Sequence, residues 1–140
     1  MRFLKIIMAV AALATVAIGL SFLVHYFRPI PALAVGISSG QPTKTAVEAE
    51  LTRRLLEQFP VGSSSAALEA ELKRQGWGPI ITDNINKHDP PWQFVRFKRP
   101  ISFMFVEVTT VMWKTDKDGR LVEVRGGYFR DAAYLQGGWS

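Results

Sequence analysis

The stretch that decides the fold runs from Ile101 to Phe129, ISFMFVEVTTVMWKTDKDGRLVEVRGGYF. At its centre Asp116-Lys117-Asp118-Gly119 separates two runs rich in β-branched and aromatic residues, and the glycine is free to take a positive φ. The pattern predicts a long strand from Ile101 to about Lys114, a tight turn, and a strand from Arg120 to about Phe129. If Asp116 lies beside Arg120, Met112 faces Val124 and Lys114 faces Val122, while Trp113 faces Glu123 and Val111 faces Arg125. Period-two alternation then separates two sheet faces. Met104, Val106, Val108, Met112, Val122 and Val124 make the face expected under helices. Phe103, Phe105, Val111 and Trp113 share the reverse with Glu107, Thr109, Glu123 and Arg125. The pair Gly126-Gly127 predicts a bulge near the end of the last strand.

Upstream, Trp92 to Lys98 reads as a further strand stopped by Pro100, which completes a three-stranded antiparallel meander. Ile80 to Ile85 reads as a short extended piece before a loop from Asn86 to Pro91. Before these, the period changes from two to about four. Val47, Leu51, Leu55 and Phe59 line one side of a helix that starts at a capping Thr43 or Thr45 and stops at Pro60. A second helix starts in Ser63-Ser64-Ser65, whose hydroxyls suit a cap, buries Ala67, Leu68 and Leu72, and ends at Gly76. Trp77 is expected to fold back onto the core.

Ile6 to Phe27 is an apolar run preceded by Arg2 and Lys5 and followed by Arg28. A helix of that length matches the roughly 30 Å hydrocarbon core of a bilayer. The charge asymmetry predicts a cytoplasmic N-terminus and an exported domain, as in a single-pass protein of a bacterial inner membrane with its domain in the periplasm. The competing reading is a signal peptide cut after Ala34, at the A-x-A site Ala32-Leu33-Ala34, which leaves the domain periplasmic or secreted. His25 reads as a ring at the membrane interface. Residues 29–42 hold three prolines and two glycines without hydrophobic period and read as a linker. The resulting fold class is α+β: a transmembrane or signal helix in residues 1–28, a linker, then a domain over 43–140 with two helices on one face of a three-stranded antiparallel sheet (ααβββ).

The 140 residues carry a net charge of +5, with no cysteine. Of the 17 basic residues, three flank the apolar run, leaving 14 against 12 acidic, too even a balance to track a phosphate backbone. Nucleic acid is therefore not an expected partner. The missing cysteines exclude disulfides, thiolate metal sites and cysteine nucleophiles. Glu107 interrupts an apolar strand and is expected to pair with Arg125 or a neighbouring lysine, a functional carboxylate being the other reading. His88, Asp89 and Asp83 make a weak set for metal or hydrolytic work, and Asp116-Lys117-Asp118-Gly119 lacks the spacing of a calcium loop. No catalytic residue, cofactor or metal ligand is assigned. Two helices cover one sheet face, so Phe103, Phe105, Val111 and Trp113 become the candidate surface for a protein partner or a second copy, unless the tail from Ala132 to Trp139 folds over them. A small ligand-binding or hydrolytic domain using the His88/Asp89 loop is the alternative.

Val61-Gly62-Ser63-Ser64-Ser65 running to Leu72 and Gly76, Asp89-Pro90-Pro91-Trp92-Gln93-Phe94-Val95, and Asp116-Lys117-Asp118-Gly119-Arg120-Leu121 together resemble the small BamE-like (SmpA/OmlA) domains of the bacterial envelope. The likeness covers roughly Thr45 to Tyr128, without that family's lipidated cysteine. It implies a non-enzymatic accessory that binds other envelope proteins through its sheet, with no catalytic residues.

Overall fold

The computed structural model describes residues 2–41, 43–84, 90–102 and 104–132, and its apolar N-terminal run forms one helix, α1, over Arg2–Tyr26. Its stretch Phe3–Val24 is long and apolar enough to cross a membrane or to act as a signal sequence, and none of it is buried against the rest of the protein. The expectation for His25 concerns a side chain outside the described residues.

The linker expectation for residues 29–42 is corrected. Ala32–Ala34 forms a 3-10 turn, and Leu33, Ala34 and Ile37 belong to the hydrophobic core, with Ile30 packed against it. Leu33 donates its N–H to Gln75 Oε1 at 3.1 Å, and Arg54 donates to the carbonyls of Leu33 and Val35 at 3.2 and 2.7 Å. Arg28 donates to the Gly76 carbonyl at 3.1 Å and lies 5.7 Å from the Phe97 ring centre. Three apolar residues in irregular backbone leave no periodic trace, so composition alone suggested reach where there is packing.

Helix α2 spans Lys44–Gln58, with Thr43 Oγ1 accepting from the Ala46 N–H and Val47, Leu51 and Leu55 buried. Helix α3 spans Ser65–Arg74 and buries Leu68 and Leu72. It ends at Gly76, whose φ of 79° lets the Trp77 N–H return to the Leu72 carbonyl and turns the indole into the core. The serine run does not cap α3 through a hydroxyl. Its backbone extends the sheet instead: the Leu121 N–H donates to Ser63 and the Ser65 N–H to Gly119.

The sheet has four antiparallel strands in the order β1-β2-β3-β4: β1 Ile81–Asp83, β2 Trp92–Pro100, β3 Phe105–Thr115 and β4 Leu121–Ala132. One strand more than expected comes from the short piece after Ile80, which pairs Ile81 with Phe94. The turn at Asp116 forms as read, with Asp116 Oδ1 accepting from the N–H groups of Asp118 and Arg120, and Gly119 at φ 72°. Beyond it the register slips. Thr115 pairs with Leu121 but Lys114 pairs with Glu123, so Val122 is an extra residue in β4.

That single residue reverses the expected faces. Val124 and Gly126, rather than Glu123 and Arg125, stand opposite Trp113 and Val111. The odd-numbered side chains of β3 thereby gain apolar neighbours, joined from β2 by Val95 and Phe97, and this is the face that α2, α3 and Leu33 cover. Val111 and Trp113, expected on the open reverse face, are both 0% exposed. Met104 and Val122, expected in the core, are exposed, and Val106, Val108 and Met112 lie on the side away from the helices, of which only Met112 keeps partial exposure. No bulge occurs at Gly126-Gly127. A Cβ on Gly126 would fall 2.6 Å from Leu51 Cγ, so the missing side chain is what lets α2 lie on β4.

Candidate functional site

The four residues expected to bind a partner do not form one surface. Val111 and Trp113 are core, and the Trp113 indole N–H has no acceptor among the described residues, which marks the ring as packing volume. Phe105 is half exposed at the far end of β3. Phe103 lies outside the described residues, as do His88, Asp89 and the tail from residue 133.

Along β2 and toward the β3–β4 hairpin, the sheet face away from the helices is basic and aromatic, whereas Val106, Val108 and Thr110 on the same face are buried. Trp92, Phe94, Arg96 and Lys98 alternate along β2, Lys114 lies opposite Trp92 at the end of β3, and Arg125 lies next to Met112 on β4. Phe94 sits 4.8 Å from the Arg96 guanidinium. Trp92 has the Lys114 ammonium 4.7 Å and the Arg125 guanidinium 5.6 Å from its ring centre. Cations over ring faces are held without being neutralised, because the ring offers a quadrupole and no formal charge. Arg125 is paired to Glu123. The edge strand β1 adds the exposed Ile81. Sequence reasoning placed the aromatic face one residue out of phase and so missed Trp92 and Phe94, although strict alternation from Trp92 onward carries the signal.

A second polar grouping lies at the opposite end of the sheet, on the helix-side face. There Arg99, Glu107 and Arg130 are cross-strand neighbours on β2, β3 and β4. Glu107 is buried, and Tyr128 donates its hydroxyl to Glu107 Oε1 at 2.6 Å while accepting from Arg130 Nε at 2.9 Å. Burial, and after it the hydrogen bond given to the carboxylate, pushes the Tyr128 hydroxyl above its ordinary pKa. The phenol therefore stays protonated and serves as a fixed donor. Arg125, the expected partner of Glu107, lies on the other face of the sheet; the direct partner is Tyr128, with Arg130 behind it. A cavity of about 210 Å³ opens here, lined by Arg99, Glu107 and Arg130 together with Tyr26, the last residue of α1.

A third feature is an apolar groove of about 480 Å³ between α3 and the chain entering β1, bordered by Leu72, Trp77, Pro79, Ile80 and Val95. Among the described residues no group of three or more His, Cys, Asp or Glu side chains converges to hold a metal ion. Asp83 ends β1, far along the sheet register from Glu107.

Searches against family models, curated proteins and solved structures found no match for this chain. Nothing in them bears on the BamE-like resemblance.

Proposed function

We propose that this chain is a membrane-tethered interaction module of the bacterial envelope, non-enzymatic, whose sheet face away from the helices binds a protein partner. The observation that carries this reading is the face itself: Trp92 and Phe94 lie under Arg96, Lys114 and Arg125, a pattern that suits an acidic partner surface with apolar contacts at its centre. The basic residues Arg2 and Lys5 in the first turns of α1 support an inner-membrane protein with a periplasmic domain. Anchoring is favoured over cleavage after Ala34, because that cut would remove Leu33 and Ala34 from the core. The BamE-like resemblance implies the same kind of work through the sheet. The alternative, a small ligand-binding or hydrolytic domain using the His88/Asp89 loop, falls on residues outside the described ones, and Glu107, the carboxylate it would recruit, is engaged by Tyr128.

The test is site-specific photocrosslinking in intact cells, with a benzophenone side chain at Phe94 and a control at Leu56 on α2. A discrete adduct from Phe94 alone is expected, weakened when Arg96→Glu and Lys114→Glu are combined. Equal adducts from both positions, or an adduct indifferent to charge reversal, would remove the reading.

A further inference from the structure

Arg99 is exposed and makes no hydrogen bond or ion pair among the described residues, although Glu107 is its cross-strand neighbour. Arg130 gives only its Nε to Tyr128, so the rest of its guanidinium faces outward. Both line the cavity together with Tyr26, which lies two residues past the apolar stretch Phe3–Val24. The turn between β2 and β3 lies at the same end of the sheet. It is tight, with the Ile101 and Ser102 N–H groups donating to the Phe105 carbonyl and Ser102 Oγ accepting from the N–H groups of Met104 and Phe105. These four N–H groups are thus satisfied within the turn, while Ile101, Met104 and Phe105 are each 44–56% exposed.

Apolar side chains on a hydrogen-bonded turn, flanked by cations and beside the aromatic end of a helix able to span a membrane, have the make-up of an interfacial contact. We propose that the β2–β3 turn seats on an anionic bilayer surface, with Ile101, Met104 and Phe105 among the lipid headgroups and Arg99 and Arg130 on lipid phosphates. The proposal rests on reading α1 as a membrane span and adds a second contact to it. Packing of Leu33 and Ile37 into the core and the bond from Arg28 to Gly76 hold the domain against the end of α1, which brings this end of the sheet to the bilayer. The basic face under Trp92 and Phe94 then remains clear of the membrane for a partner.

Because the chain contains no cysteine, single labels can be placed without background. The full chain carrying Phe105→Cys, Leu13→Cys or Val122→Cys, each with an environment-sensitive fluorophore, is reconstituted into vesicles of phosphatidylcholine with or without phosphatidylglycerol. Bilayer-embedded nitroxide and aqueous iodide serve as opposing quenchers. The labels at Leu13 and Phe105 should answer to nitroxide and the label at Val122 to iodide. Phosphatidylglycerol should deepen the response at Phe105, and Arg99→Gln should reduce that gain about fivefold, as expected for one cation at an anionic surface. If iodide reaches Phe105 as freely as Val122 while Leu13 stays in lipid, the turn stands clear of the bilayer and the inference fails alone. If iodide reaches Leu13, the span reading fails and takes the inference with it. Protection at Phe105 that ignores lipid charge, or that millimolar phosphate reproduces on phosphatidylcholine, also overturns it, pointing to a protein contact or a soluble-anion site.

Discussion

At the scale of single residues, the decisive ones are Gly126, Val122 and Tyr128. Gly126 is legible as a glycine in a strand but not as the seat of Leu51, since only the three-dimensional approach of α2 shows the 2.6 Å gap that a Cβ would meet. Gly126→Ala should destabilise the domain by about 1–3 kcal/mol through overpacking. Gly127→Ala, whose nearest contacts are at 3.4 Å, should cost little or nothing; paired thermal melts check both. Val122 left no trace as a bulge, because Leu121-Val122-Glu123 contains only residues at ease in a strand, and its extra place in β4 inverted the expected faces. Tyr128→Phe leaves the buried Glu107 without its hydroxyl donor and should cost about 1–3 kcal/mol in urea unfolding. Adding Glu107→Gln should recover part of the loss, since an unpaired buried amide is less costly than an unpaired carboxylate.

At the scale of elements, α2 does two jobs at once. Leu51 covers Gly126 from above, while Thr52 Oγ1 and Glu48 Oε1 accept from the N–H groups of Gly126 and Tyr128 at 2.9 and 3.1 Å. The helix thus occupies the edge of β4 that would otherwise stand open to another strand. Thr52→Val should speed amide exchange at Gly126 several-fold more than at Val108 on the interior strand β3, as read by exchange mass spectrometry or NMR. The helices themselves were legible from their apolar period, whereas the hydroxyl and carboxylate that close the sheet edge lie among the residues that period assigns to the outer side.

Acid should act on the same helices. Arg53 and then Arg54 hold the Glu50 carboxyl down to about 2, and Arg74 with Gln75 holds Glu71 down to about 2. A lowered folded-state pKa contributes stability that is full above the ordinary value of 4.5 and fades as pH falls toward 2. Melting temperature should therefore decline over that window. Salt should flatten the decline, because these pairs lie at the surface.

At the scale of the whole molecule, the sequence conveyed an apolar leader and an α+β domain but not how they join. Prolines and glycines in residues 29–42 carry the composition of a tether, and the core contribution of Leu33, Ala34 and Ile37 depends on partners that are distant in sequence, among them Arg54 and Gln75. A flexible chain of that length would let the domain wander over about 20 Å. Packing of Leu33, Ala34 and Ile37 and the bond from Arg28 to Gly76 restrict that freedom, which predicts a fixed bearing of the sheet face of Trp92 and Phe94 relative to α1. That predicted bearing is what both the proposed partner surface and the proposed lipid contact rely on. It is tested most directly by the distance between spin labels at Val24→Cys and Val61→Cys in the full chain in nanodiscs, both positions being well exposed. A single narrow distance distribution is the predicted result; a broad one with the spread of a 14-residue random coil would contradict the account.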